Sequence, residues 1–213
     1  IHSRTGDVIM SRVANKIMMI ADGGITGELI EFKFAGSLVT APEEGDLLVG
    51  HSGSYNSAVS TNSPYTQVVT KVSTPWIGSN TESSLIAYKI ATGSEGTNIM
   101  SIGTGSNVMG VYRFSSPVTG VTVAFSATQE GDGDRTIDTS SYDKPHIAVC
   151  TIGCNGNPSI AMTNSDYAFR GGYCNAAASL RNPDSALTSA VISATDTTFN
   201  EACCYAVLVP TFD

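Results

Sequence analysis

Gly50-His51-Ser52-Gly53-Ser54 is the stretch whose residue types most directly suggest chemistry, because Gly-x-Ser-x-Gly is the nucleophile elbow of one large hydrolase class. In that elbow the glycines allow a sharp strand-to-helix turn that exposes the serine. Here Ser54 stands where the last glycine belongs, and Tyr55 to Ser63 is too rich in Ser and Asn to begin a helix. A polar loop after a strand is the expectation, and no catalytic residue is assigned. The three histidines, His2, His51 and His146, lie too far apart for a His-x-x-x-His metal pair, so each is expected to be structural. Glu130-Gly131-Asp132-Gly133-Asp134 sets three carboxylates on alternate residues, a spacing that can turn oxygens toward one calcium ion. Arg135 and Ser141 occupy the positions where an EF-hand loop needs Gly and Glu, so that motif fails. A calcium site of another kind at Glu130, Asp132 and Asp134 stands beside the plainer reading of an exposed acidic turn. Gly103-Thr104-Gly105-Ser106-Asn107 lacks the third glycine, the Lys and the following helix of a phosphate loop, and reads as a hairpin turn.

Five cysteines, at 150, 154, 174, 203 and 204, all fall in the last third of the chain. The odd number leaves one unpaired if the rest pair internally, and no histidine cluster completes a zinc set. Buried free thiols are the main expectation, with one disulfide or a metal as alternatives. Cys203 and Cys204, if on a strand, point to opposite faces. Among the aromatics, Tyr55, Tyr65, Trp76, Tyr142, Tyr167 and Tyr173 fall in or beside loops. Tyr55, Tyr65 and Trp76 are the candidates for stacking on sugar faces, against the alternative of packing or subunit contact.

These residues sit in a chain of 213 residues that is 41% hydrophobic but only 14% charged, against about 25% charged in an ordinary soluble domain. It holds 26 Ser, 23 Thr and 21 Gly. That much apolar material makes a real core and argues against disorder, while the hydroxyl-rich remainder suits strands and turns over long helices. The net charge of −8 is opposite to the basic footprint of a nucleic-acid binder. Positive and negative residues balance over 1–33, so the whole excess lies beyond them. Ile17-Met18-Met19-Ile20-Ala21 is too short for the apolar core of a secretory leader, and no run approaches a membrane-spanning helix. No cofactor is expected.

Apolar stretches of four to eight residues, alternating and fenced by Gly, Pro, Asn, Asp or Ser, predict strands over 28–34, 46–51, 65–72, 84–92, 107–114, 118–127, 135–139, 146–153, 159–162, 168–173, 187–194 and 202–209. Ala176 to Leu180 predicts one short helix. About a dozen strands imply two packed sheets: an all-β, two-sheet antiparallel sandwich with jelly-roll-like connectivity, in a single domain over 28–213. Residues 1–27 read as an extended N-terminal arm or an added edge strand, with Ile17, Met18, Met19 and Ile20 as its candidate partner contacts.

Glu44-Gly45-Asp46-Leu47-Leu48-Val49-Gly50, then Tyr88-Lys89-Ile90-Ala91-Thr92-Gly93-Ser94-Glu95, then Val111-Tyr112-Arg113-Phe114 resemble, in that order, the segments of a β-sandwich family common in virions of tailed bacteriophages. Ala202 to Pro210 is similar to its closing strand. Pro64-Tyr65-Thr66 departs from the family's usual Pro-x-Gly-Trp-Thr. The resemblance implies a non-enzymatic virion protein, decorating and stabilising the capsid, that oligomerises and binds capsid or tail proteins. Its alternative is a tail or fibre module that recognises host surface glycans. Low surface charge agrees with a partner-covered surface, since covering hydroxyls costs less desolvation than covering charges.

Overall fold

In the computed structural model, the residues described are 24–34, 36–73, 81–98, 101–130, 133–140, 142–154, 159–162, 167–169, 173–182, 189–195 and 201–213. Their strands are β1 (Gly27–Phe34), β2 (Leu47–Tyr55), β3 (Thr66–Val72), β4 (Glu82–Ile90), β5 (Ser106–Phe114), β6 (Gly120–Glu130), β7 (Gly133–Asp138), β8 (His146–Gly153), β9 (Ser159–Met162), β10 (Tyr167–Phe169), β11 (Cys174–Arg181), β12 (Ser189–Thr195) and β13 (Ala202–Thr211). The all-β expectation holds, and all but β11 overlap a stretch expected to be a strand. The alternating pattern bounded by turn residues was sufficient to place them.

Two five-stranded antiparallel sheets, ordered β1-β5-β2-β4-β3 and β10-β11-β8-β13-β6, pack as a sandwich. The layer between them contains Leu47, Val49, Ile86, Tyr112 and Phe114 from the first sheet and Ile147, Val149, Ala178, Ala206 and Leu208 from the second. The outer faces are covered as well. Leu38, Val59 and Ile102, from connecting segments, close over Leu48, Leu85 and Met109 on the back of the first sheet. Ile137 of β7, in a third sheet ordered β7-β12-β9, packs with Cys150, Ile152, Cys203 and Tyr205 on the back of the second. Central strands are therefore buried on both faces, and β8 is buried along its whole length.

Three expectations are corrected. The first five strands all lie in one sheet, and the chain then enters the other, so it does not alternate between sheets as a jelly roll does. Ala176 to Leu180 is strand and not helix: β11 bonds to β8 on one side and β10 on the other. Alanine's helical preference is worth well under about 1 kcal/mol per residue, less than the ladder bonds and two-sided burial gained here. Small side chains are required in this strand, since Ala176, Ala177 and Ala178 are all buried. Strand β10 ends at Phe169, and Tyr173 is a turn residue before β11.

Candidate functional site

The three motif segments, 44–50, 88–95 and 111–114, meet at one end of the first sheet. Gly45, with φ of +82°, turns the chain into β2 and places Asp46 beside the end of β5. Arg113 donates from Nε to Asp46 Oδ1 at 2.9 Å and from Nη2 to Asp46 Oδ2 at 2.8 Å, a fork-to-fork pair. Its Nη1 pairs with Glu43 at 2.7 Å. The hydrogen bonds to Asp46 raise the Arg113 pKa above its ordinary value, although burial opposes them. The Asp46 backbone carbonyl accepts from Ala91 N at 2.8 Å, and Gly45 N donates to the Ala91 carbonyl at 2.9 Å. Beyond Ala91, Lys89 pairs with Glu95 at 2.7 Å, and Thr92 donates to that carboxylate from both its backbone N and its hydroxyl at 2.9 Å. Burial alone would push the Glu95 pKa up, but the bonds from Lys89 and Thr92 hold it down at about 2. The motif residues thus form an interlocked corner.

A second polar group lies between the sheets. His51 Nδ1 meets the Thr151 hydroxyl at 2.6 Å, joining β2 to β8, and the ring is fully buried with Phe32 edge-on at 5.7 Å. Burial lowers its pKa to about 3, so it is neutral at physiological pH. Ser84 donates to Cys204 Sγ at 3.1 Å between the sheets, and Asn175 donates to Cys154 Sγ at 3.0 Å on the back of the second sheet. Gly53 and Gly153 mark close approaches: a Cβ on the first would strike the Tyr173 carbonyl, and on the second the Ser83 carbonyl. All five cysteines are buried and free. Burial pushes the thiols of Cys150, Cys154 and Cys174 well up and that of Cys204 up to about 12, so these four are not thiolates near neutrality. Cys203 and Cys204 do face opposite sides, the first in the outer cluster and the second between the sheets.

The expected loop after Gly50 is instead the second half of β2, a central strand with His51, Ser52 and Ser54 buried. Alternation sends Ser52 to the face opposite His51, so a serine–histidine couple is excluded by the pleat. Gly103 to Asn107 is not a hairpin turn either, because β2 lies between β4 and β5. Asn107 clasps the segment itself, accepting from Gly103 N and donating to the Gly105 carbonyl. His146 is buried against Tyr142, and burial lowers its pKa although the Lys144 carbonyl favours its charged form.

No protein-family model, curated protein or solved structure matches this chain. Its site candidates are therefore placed by geometry alone. Glu130 pairs with Lys71 at 2.9 Å. Asp132 lies outside the described residues, as do Trp76 and the Ile17, Met18, Met19 and Ile20 contact candidates. Asp134 lies on β7, paired in register with Ser193. Among the described residues, no three His, Cys, Asp or Glu side chains are arranged to hold a metal. Tyr55 and Tyr65 are apart: Tyr55 ends β2 opposite Glu82, whereas Tyr65 precedes Thr66, which pairs with Tyr88. Glu82 and Tyr88 are six residue steps apart along β4, roughly 20 Å of strand. Tyr65 packs on the outer apolar cluster of the first sheet. Tyr55 stacks at 5.9 Å on Tyr173, which is 45% exposed. The pairing of Tyr55 with Tyr173 was missed, although both were legible as aromatics in or beside loops.

Proposed function

We propose that the chain is a non-enzymatic structural protein of a tailed-phage virion, a capsid decoration protein that stabilises the particle through capsid or tail contacts and association with its own copies. The observation that carries this reading is the Asp46–Arg113–Glu43 corner, because the residues behind the family resemblance act there as fold determinants. Buried His51 and Ser52 on opposite faces, and thiols held neutral, add weight to a structural role. Antibody against the chain should label tailed-phage particles made from the genome encoding it, at symmetric positions on head or tail. Particles that contain none of it refute the reading.

One observation favours the second reading, a host-recognition module of the tail or fibre. The Tyr55–Tyr173 stack presents an aromatic face at the sandwich end, as sugar-binding surfaces do. Glycan binding abolished by Tyr173→Ala would support it, and absence of binding across host-surface glycans would remove it.

A further inference from the structure

His146 opens β8, and alternation with Ala148 and Cys150 puts its side chain on the outer face of the second sheet. The ring is 3% exposed and lies against Tyr142, centroid to centroid at 5.0 Å. Tyr142 in turn packs on the outer cluster of Ile137, Ala148, Cys150, Cys203 and Tyr205. His146 Nδ1 is 3.0 Å from the Lys144 carbonyl, which can only accept, so Nδ1 carries the proton of the neutral ring. Nε2 is then a buried lone pair with no partner among the described residues. A second proton goes to that atom, where it makes an N–H without an acceptor. Directly across the ladder stands Arg181, 8% exposed, with Nη1 on the Leu180 carbonyl at 2.7 Å. Charging the ring sets two cations opposite each other on one face. Asp143 and Lys144 are exposed, and β13 brings no Asp, Glu, Lys, Arg or His. On β7, Arg135 lies over Phe125 and Asp138 is held by Ser140 at 2.6 Å. Burial and Arg181 therefore oppose a charged ring, and the Lys144 carbonyl favours it.

We propose that this end of β8 is an acid-opened latch: a proton on His146 Nε2 drives the ring from its seat opposite Arg181, and residues 142–146 swing out with it and uncover the apolar cluster beneath Tyr142. The device goes beyond the structural role proposed above and does not depend on it. The segment moves as a unit because its internal contacts tighten when the ring is charged. A carbonyl holds an imidazolium more firmly than an imidazole, and the Tyr142 ring attracts a cation. What gives way is the contact between the ring and its buried seat, where the new N–H has no acceptor and the guanidinium repels. The site lies at the first residue of β8, where local opening breaks few ladder bonds and leaves the layer between the sheets closed.

The test is hydrogen exchange read by mass spectrometry on the full chain at about pH 7.5 and 5.0, each corrected for the intrinsic exchange rate. Out of its seat the ring titrates near its ordinary value of about 6.5, so protection over 142–147 and 179–181 should fall about tenfold between the two conditions. His146→Asn should abolish that fall. Arg181→Gln should shrink it, because the closed state then tolerates the charged ring better. His51→Asn should leave it intact, which separates the latch from loosening of the whole sandwich. Unchanged protection of these segments in wild type at the lower pH overturns the latch, and this arm needs no variant to fold. An equal fall in His146→Asn, or a fall that His51→Asn removes, overturns it as well.

Discussion

Acidifying the protein from pH 7 to 5.5 should weaken it, and the share that His51 sets can be isolated. In the unfolded chain His51 titrates near its ordinary value of about 6.5. Folded, it is held near 3 by burial between the sheets. Between those values the unfolded state binds a proton that the folded state does not, so stability is fully present above 6.5 and falls as pH drops toward 3. Linkage over pH 7 to 5.5 gives a loss of about 1 kcal/mol, most of it below pH 6.5. Urea unfolding at the two pH values measures it, and His51→Asn supplies the reference because Asn does not titrate. His146, lowered in the same direction, acts in both proteins and cancels in the comparison. Wild type should lose about 1 kcal/mol more than the variant over this interval, or about 3 °C in melting temperature for a chain of this size. Thr151→Val should keep the full pH dependence despite losing the 2.6 Å contact, because burial is what lowers the pKa. Equal pH dependence in wild type and His51→Asn would refute a neutral ring between the sheets.

Arg113→Met leaves the Asp46 carboxylate buried without its fork, so a loss of about 3 kcal/mol is expected in urea unfolding, and a loss under about 1 kcal/mol would reduce the corner to an exposed ion pair. Gly153→Ala sets a methyl group against the Ser83 carbonyl of the facing sheet, where backbone cannot yield; the expected loss is about 3 kcal/mol, and an unchanged urea midpoint would show that the sheets lie farther apart. All five thiols should resist Ellman's reagent in the folded protein and react on denaturation, and rapid reaction of any one under native conditions would contradict their burial.

The strands were legible where one face meets core and the other a turn or solvent, as in β1 and β3, because two-residue alternation is a local signal. It was not enough at two stretches buried on both faces, although β8, equally buried, was legible from its apolar run. Strand β11 reads as an alanine-rich helix until β8 and β10 flank it, and Gly50 to Tyr55 reads as a loop because His, Ser and Gly are not core residues by type. At the candidate sites, Asp46 and Arg113 were legible as parts of two motifs and not as partners, since 67 residues separate them. The Tyr55–Tyr173 stack was hidden for the same reason.

Low charge belongs to both levels. Composition set the class, because so few charges and so many β-formers and turn residues leave a stable chain little but packed sheets. The chain's destination for its hydroxyls was decided only in three dimensions. Ser52, Ser54, Ser73, Ser83, Ser84, Thr139, Thr151 and Ser179 are buried, several of them between layers, so part of what suggested a covered surface is interior. Pairing partners and layer order depend on contacts between residues far apart in the chain. A period-two pattern is satisfied by many such pairings, and only the simultaneous burial of both sheet faces selects among them.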